Sequence, residues 1–218
     1  MPLTRKQLLV RARKIKLLLM DVDGVLTDGN IYYLPNPQGG LIETKGFNSR
    51  DGLGIRMAHA AGLKTGIITG RGSPVIARRV KELGIDFLQQ NALDKIAPYE
   101  KIRRAAKLRD AEVAYVGDDI VDLPILERVG LAVVVGDGDP LLRPYAHFWT
   151  RRRGGIGAVR EAIDLILTAQ GKPPPRHRGD DDNNIVATSL CFSDTFRNSP
   201  YSLKVADGSP AIFLNNEH

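Results

Sequence analysis

The stretch "KIKLLLMDVDGVLTDG", residues 14–29, decides the fold of this chain. Its apolar run has the length of a strand and ends at Met20, and three acidic residues follow closely, Asp21, Asp23 and Asp28. A short, continuous apolar run is typical of a strand that is buried on both faces of a parallel sheet. Ligands of such sheets bind beyond the carboxyl ends of the strands, so we expect the acidic residues to lie at a functional site.

Strand and helix signals alternate along the chain after this stretch. The clearest helix has Ser73 as its N-cap, Pro74 in its first turn and Gly84 as its stop. The alternation predicts an α/β fold, a Rossmann-like doubly wound parallel sheet with helices on both faces. The predicted strands cover residues 14–20, 64–69, 86–90, 112–117 and 131–136, and the predicted helices cover residues 51–63, 73–84, 94–108, 122–130 and 157–171.

Two segments depart from the alternation. Residues 29–48 contain two strand-like runs around the turn-rich "PNPQGG", which predicts a β-hairpin flap after the first strand, leaning over the strand ends. Residues 173–218 begin with a proline-rich and then acidic stretch that is typical of a linker or of disorder, and the remainder has no helical period. We therefore expect one domain over residues 1–172 and a C-terminal extension over 173–218 without an assigned function.

The composition limits the classes of function. The chain has 218 residues, a net charge of +6 and a sequence pI of about 9.5, but its basic residues are dispersed over the outer faces of predicted helices. Few aromatic residues lie between them, so we expect no nucleic-acid partner. No apolar run approaches the roughly 18 to 20 residues needed to cross a bilayer, so we expect no membrane association. The single cysteine, Cys191, cannot form an internal disulfide, which favours a cytoplasmic location.

Polar residues at several strand ends could form one site. Asp21 and Asp23 are two positions apart and can face the same site, where one carboxylate can be a nucleophile and the other an acid. Asp118 would add oxygen ligands suited to Mg²⁺. The hydroxyl of Thr69, the backbone N–H of Gly70 and the charge of Lys95 could hold a phosphoryl group. Each feature alone could be a helix cap or a turn, but together and in this order they indicate phosphoryl transfer.

These residues resemble the sequence motifs of the haloacid dehalogenase superfamily. "DVDGVLTDG" resembles its first motif and "IITGR" its second, Lys95 stands at its third, and "GDDIVDLP" resembles its fourth. Within it, "FNSRDGLGIR", "VAYVGDDIVDLPILERVGLAVVVGDGDPLL" and "GGIGAVREAIDLILTAQGK" resemble the 3-deoxy-D-manno-octulosonate 8-phosphate phosphatases. That resemblance implies a capless Mg²⁺-dependent enzyme of lipopolysaccharide biosynthesis, a β-hairpin in place of a cap domain, and a homotetramer.

The resemblance also implies a role for each matching residue. Asp21 would attack phosphorus and form an aspartyl phosphate, while Asp23 would protonate the leaving group and then activate water. Thr69 and Lys95 would hold the phosphoryl group. Mg²⁺ would be bound by Asp21, the backbone carbonyl of Asp23 and Asp118, with Asp119 and Asp122 in an outer layer. Substrate contacts would come from Asn48, Ser49, Arg50, Asp51, Gly52, Arg56, Gly70, Arg71 and Arg79, since an arginine fork matches the carboxylate of a sugar acid.

Three alternatives remain at the level of sequence. The substrate could be another nonulosonate, such as a sialic-acid-like 9-phosphate, because the residues do not specify the length or stereochemistry of the sugar. A second alternative is a non-catalytic module that keeps the fold, although such a module would not need an acid at Asp23. The third, nucleic-acid binding, would predict an affinity that falls steeply with salt.

Overall fold

A computed structural model describes residues 3–172 of this chain, and the predicted extension over 173–218 lies outside the described residues. Within this range, none of the helices combines the length and the apolar character needed to cross a membrane. The helices are α1 (Arg5–Arg13), α2 (Ser49–Ala60), α3 (Pro74–Leu83), α4 (Ile96–Ala105), α5 (Leu123–Leu126) and α6 (Ala158–Ala169). The strands are β1 (Leu17–Met20), β2 (Tyr32–Pro35), β3 (Leu41–Thr44), β4 (Lys64–Ile68), β5 (Phe87–Gln89), β6 (Val113–Gly117), β7 (Leu131–Val134) and β8 (Phe148–Trp149).

Six of these strands form one parallel sheet in the order β5-β4-β1-β6-β7-β8. Strand β1 lies inside the sheet, and the register places Met20 level with Ile67 of β4 and Val116 of β6. The central strands therefore end at nearly the same level, and the residues that follow them share one edge of the sheet. This arrangement confirms the predicted α/β class.

Helices cover both faces of the sheet, which explains the continuous apolar run of β1. Leu18 and Met20 pack on one face, in a core that includes residues of α1, α2, α3 and α6. Leu17 and Leu19 pack on the opposite face, against residues of α4 and α5. Successive strand residues point to opposite faces, so a strand buried on both sides must be apolar at every position.

The predicted flap is a β-hairpin of β2 and β3, paired antiparallel from Tyr32 opposite Thr44 to Pro35 opposite Leu41. Its turn is held by the side chain of Asn36, whose Oδ1 accepts hydrogen bonds from the backbone N–H groups of Gln38 and Gly40. The four residues of β2 are all exposed. The hairpin therefore contributes little to the core of the domain, and its stability depends on contacts elsewhere.

Some elements differ from the sequence prediction. The first strand begins at Leu17 and not at residue 14, because α1 and the turn after it occupy the preceding residues. The helix predicted over 122–130 contains only the four-residue α5, preceded by a short 3₁₀ helix, Ile120–Asp122. Helix α1 and the two-residue β8 were not predicted. A two-residue strand is too short for a periodic pattern and forms here only because β7 provides its partner.

Candidate active site

The carboxyl edge of the sheet forms a cavity of about 300 Å³. Asp21 follows β1, Thr69 follows β4 and Asp118 follows β6, while Lys95 immediately precedes α4. The register of the strands therefore brings together residues that are almost 100 positions apart in the chain. The cavity is lined by Asp21, Asp23, Gly24, Gly29, Thr69, Gly70, Arg71, Ala92, Leu93, Lys95, Asp118, Asp119 and Val121.

Lys95 is a buried cation held between two carboxylates. Its Nζ lies 2.6 Å from Oδ2 of Asp21 and 2.6 Å from Oδ1 of Asp122, and its side chain is only 2% exposed. Burial alone would lower the pKa of Lys95, but the negative charges of Asp122 and Asp21 raise this pKa above its ordinary value. Lys95 therefore carries a fixed positive charge at the cavity.

The carboxylate of Asp122 already accepts hydrogen bonds from other groups of the protein. Its Oδ1 accepts hydrogen bonds from Lys95 and from the hydroxyl of Tyr115, at 2.6 Å each. Its Oδ2 accepts from the backbone N–H groups of Asp118 at 2.9 Å and Asp119 at 3.4 Å. A fully buried carboxylate with these partners orients Lys95 and the loop after β6, and it does not line the cavity.

The carboxylates at this edge of the sheet, Asp122 included, form a group that fits a divalent cation. Ligand oxygens of Asp21, Asp118 and Asp122 lie within 4.8 Å of one another. Burial raises the pKa of Asp21 to about 6, opposed by Lys95, and burial together with the charges of Asp122 and Asp21 raises the pKa of Asp118 to about 8. Carboxylates that raise one another's pKa in this way are stabilised by an added cation, and oxygen ligands suit Mg²⁺.

Gly24 allows the close approach of two loops at this site. Its φ is +81°, and a Cβ at this position would lie 2.0 Å from Oδ2 of Asp118. Only glycine combines this left-handed backbone with the absence of a side chain. The glycine after Asp23 is thus required by the position of Asp118.

Sequence reasoning missed Lys45, which follows β3 at the base of the flap. Its side chain is 1% exposed, its Nζ donates a hydrogen bond to Oδ1 of Asp23, and it lies 3.2 Å from Oε1 of Glu43. The other oxygen of Glu43 accepts a hydrogen bond from Nη2 of Arg71 at 3.0 Å. Only the basic character of Lys45 was visible in the sequence, because the 22 positions to Asp23 follow no helical or strand period.

The predicted substrate residues divide into two groups. Gly70 and Arg71 line the cavity. Asn48 caps α2, its Oδ1 accepting from the backbone N–H of Arg50, and Ser49 and Arg50 are exposed in the first turn of that helix. Arg56 is exposed further along α2.

Asp51, Gly52 and Arg79 form packing contacts away from the cavity. Asp51 is 1% exposed, and its two oxygens accept hydrogen bonds from the backbone N–H groups of Gly157 at 3.1 Å and Arg160 at 2.7 Å. The guanidinium of Arg79 lies 5.6 Å from the ring centroid of Phe47, and a Cβ on Gly52 would lie 2.6 Å from Nη2 of Arg79. Asp51 therefore stabilises the start of α6, which is a different role from the predicted substrate contact.

The site contains a buried lysine between carboxylates at the edge of a parallel sheet, beside further carboxylates that fit a cation. This combination defines a metal-dependent phosphotransferase of the haloacid dehalogenase type.

Comparison with known proteins leads to a narrower family. No family model matches the chain. Over 164 residues it is 46% identical to the 3-deoxy-D-manno-octulosonate 8-phosphate phosphatase KdsC of Escherichia coli K12, a match covering 75% of this chain and 85% of that protein. Over 162 residues it is 47% identical to KdsC of Yersinia pestis, covering 74% and 84% of the two chains.

Solved structures agree with the sequence relatives. The crystal structure of the Yersinia pestis phosphatase superposes with a TM-score of 0.72 at 46% identity, over 76% of this chain and 88% of that one. A Moraxella catarrhalis 3-deoxy-D-manno-octulosonate 8-phosphate phosphatase, solved in complex with magnesium, phosphate and KDO, superposes with a TM-score of 0.71 at 38% identity, over 76% and 93% of the chains. The chain belongs to the 3-deoxy-D-manno-octulosonate 8-phosphate phosphatase family.

Proposed function

We propose that this protein is a Mg²⁺-dependent phosphoric monoester hydrolase that converts 3-deoxy-D-manno-octulosonate 8-phosphate to the free sugar acid and phosphate, in lipopolysaccharide biosynthesis. The observation that carries the proposal is the buried Lys95, held at 2.6 Å from Asp21 beside the carboxylate of Asp118. The names of the relatives support the substrate. A phosphate ester brings negative charge to a position where Lys95 can neutralise it, beside a carboxylate that can attack.

The reaction divides between the two carboxylates that follow β1. Asp21 attacks phosphorus and forms an aspartyl phosphate as the sugar oxygen leaves. Asp23 gives a proton to that oxygen and then takes one from the water that hydrolyses the aspartyl phosphate. Lys95, the hydroxyl of Thr69 and the backbone N–H of Gly70 hold the phosphoryl oxygens in line for the attack. The role of Asp21 is supported by the positive charge of Lys95, 2.6 Å from its Oδ2, which favours the ionised carboxylate that attacks.

Asp21, the backbone carbonyl of Asp23 and Asp118 would hold Mg²⁺, with Asp119 and Asp122 orienting its surroundings. The cation supplies charge neutralisation for the phosphoryl oxygens and for the carboxylates around them. The fit is supported by the cluster of carboxylate oxygens and by the raised pKa values of Asp21 and Asp118. The hydrogen bonds of Asp122 to Lys95 and Tyr115 favour an orienting role for it over direct ligation.

Recognition of the sugar acid rests mainly on Arg71 in this proposal. It lines the cavity, and a guanidinium can bind a substrate carboxylate through paired hydrogen bonds. Asn48, Ser49, Arg50, Arg56 and Arg79 could contribute only from the region around the α2 N-terminus, outside the cavity lining. A nonulosonate 9-phosphate remains the second candidate substrate, because Arg71 would bind the carboxylate of either sugar acid.

We also propose a homotetramer, one domain over residues 1–172 with 173–218 appended, and a cytoplasmic location. Exposed apolar residues of the flap support self-association, among them Leu34, Leu41 and Ile42, which are 55%, 69% and 52% exposed. The match to KdsC covers 85% of that protein but only 75% of this chain, which supports the domain boundary. The single cysteine is compatible with a reducing compartment.

The experiment that tests the function measures phosphate release with Mg²⁺ from a panel of sugar phosphates. The panel contains 3-deoxy-D-manno-octulosonate 8-phosphate, a nonulosonate 9-phosphate and ordinary hexose phosphates. We expect a strong preference for the eight-carbon acid and loss of activity on chelation of the metal. Preference for the nine-carbon acid would show that the second candidate is the substrate. Activity that survives exhaustive chelation would contradict the metal requirement.

A further inference from the structure

The two carboxylates after β1 each have their own lysine. Lys95, from the start of α4, binds Asp21, and Lys45, from the base of the flap, binds Asp23. Within residues 3–172, Lys45 is the only side chain that forms a hydrogen bond with the Asp23 carboxylate. The orientation of Asp23 therefore depends on a residue of the hairpin and not on the sheet.

Burial makes this contact obligatory for Lys45. An ammonium group in the protein interior is costly unless carboxylates and hydrogen bonds compensate it. The side chain of Lys45 is 1% exposed, and its Nζ lies against Asp23 and at 3.2 Å from Glu43. Its position is thus determined by two carboxylates, one from the loop after β1 and one from β3.

The same contacts extend to Arg71, the residue proposed to bind the carboxylate of the substrate. Glu43 binds Lys45 through one oxygen and Arg71 through the other, at 3.0 Å from Nη2. Asp23, Lys45, Glu43 and Arg71 therefore form a continuous series of polar contacts from the loop after β1 to the residues that precede α3. The positive charge of Lys45 also offsets the negative charge of Glu43. Arg71 can therefore bind an additional carboxylate.

We propose that Lys45 is a positioning residue, which holds the Asp23 carboxylate toward the leaving oxygen and fastens the flap beside the cavity. This inference rests on the proposed function, in which Asp23 donates a proton to the leaving group. A proton donor must first lie within hydrogen-bond reach of its acceptor, so loss of its anchor reduces proton transfer even if Asp23 itself is intact. Lys45 acts through Asp23 and does not contact the phosphoryl group.

The test compares two leaving groups. An alkyl phosphate, such as 3-deoxy-D-manno-octulosonate 8-phosphate, must lose a strongly basic oxygen and needs the proton from Asp23. The nitrophenolate of p-nitrophenyl phosphate leaves without a proton. We expect Lys45→Met to lower kcat/KM for the alkyl phosphate roughly 10- to 100-fold, within the range of general acid catalysis, and to change kcat/KM for p-nitrophenyl phosphate by less than about threefold.

Three further variants complete the design. Lys45→Arg keeps the charge and the hydrogen-bond donors, and we expect it to restore most of the alkyl phosphate activity. Lys45→Gln is a second neutral variant, for use if Lys45→Met does not fold as judged by circular dichroism. Lys101→Met removes an exposed lysine of α4 and is expected to behave as the wild type on both substrates.

Equal losses on the two substrates would overturn the proposal, because a general loosening of the flap does not distinguish leaving groups. Unchanged activity of both neutral variants would overturn it as well. If the wild type fails to hydrolyse the eight-carbon sugar phosphate, the proposed substrate is wrong. The comparison of leaving groups then uses the alkyl phosphate that the wild type hydrolyses fastest. The role of Lys45 is thereby tested independently of the proposed substrate.

Discussion

At the residue scale, the candidate site depends on side chains that hydrogen bonds hold in defined positions. Asp21 is bound by Lys95 and by its neighbouring backbone N–H, since Oδ1 accepts from Val22 at 2.6 Å. These two contacts hold the carboxylate at the end of β1, beside the cavity. If Asp21 is the nucleophile, as proposed, this orientation avoids an entropic cost during the reaction.

Asp21→Asn removes the proposed nucleophile with little change in the shape of the side chain. We expect phosphate release to fall by more than about 10³-fold, because loss of an attacking group cannot be compensated by the remaining residues. The circular dichroism spectrum should remain that of the wild type. Asp164→Asn, on α6 and paired with Arg160, is a matched control that should keep full activity. Retained activity of Asp21→Asn would contradict the assignment of the nucleophile.

Gly24→Ala tests the close approach of the loops that follow β1 and β6. The new Cβ would collide with Asp118, so we expect loss of phosphatase activity and a loss of stability greater than that from backbone strain alone. Gly62→Ala is the matched control, with φ of +83° but no heavy atom within 4 Å of the new Cβ. It should cost only the backbone strain of the left-handed region, about 1–2 kcal/mol. Urea unfolding and phosphate release would measure both, and equal stability losses would contradict the collision.

At the element scale, helix α6 begins without a side-chain cap of its own. Its N-cap residue is Gly157, with φ of +107°, and Asp51 of α2 supplies the missing acceptor. The carboxylate is buried, and this burial raises the pKa of Asp51. Helix α2 thus caps α6, which lies beside it on the same face of the sheet.

Asp51→Ala should leave two backbone N–H groups without their acceptor, at a cost of about 2–4 kcal/mol in the free energy of unfolding. Asp51→Asn keeps one acceptor oxygen and should cost less. Urea unfolding followed by circular dichroism measures the difference. The KM of the folded variants should stay near that of the wild type. A large rise in KM at unchanged stability would instead support the predicted contact between Asp51 and the substrate.

At the scale of the whole molecule, the exposed apolar residues of the flap allow a test of the proposed homotetramer. Leu41→Glu places a charge on this surface, and we expect it to reduce the molar mass measured by light scattering during size-exclusion chromatography. Leu141→Glu is the matched control, because Leu141 is 66% exposed and lies outside the flap. A wild-type protein that is monomeric at all concentrations would contradict the proposed homotetramer.

The pH dependence of stability should reflect His147, which lies beside β8. Its Nδ1 accepts a hydrogen bond from the backbone N–H of Ala132 at 2.9 Å, a role open only to a neutral ring. Burial, with a smaller contribution from the charge of Arg11, lowers the pKa of His147 below its ordinary value of 6.5. The unfolded chain therefore binds a proton at this residue at a pH where the folded chain does not, and stability falls as the pH decreases through 6.5.

The thermal unfolding temperature at pH 7.5 and at pH 5.5 measures this effect. His147→Asn can keep an acceptor near Ala132 without a titratable ring, so we expect its unfolding temperature to fall less at the lower pH than that of the wild type. His59, whose pKa burial also lowers, remains in both proteins and gives both a residual pH dependence. An identical pH dependence of the two proteins would exclude His147 as a contributor.

The sequence by itself determined the parallel sheet, the hairpin and most of the cavity. Continuous apolar strands and periodic helices are local patterns, and the strands of a parallel sheet bring their carboxyl ends to one edge. The sequence alone therefore predicts that Asp21, Thr69, Lys95 and Asp118 lie together. Tertiary structure alone decided the partners of Lys45 and Asp51. Lys45 reaches Asp23 because the flap folds back, and Asp51 reaches Gly157 across 106 positions because α2 and α6 pack side by side. Contacts of this kind follow no sequence period, since they depend on how separate elements are placed in space.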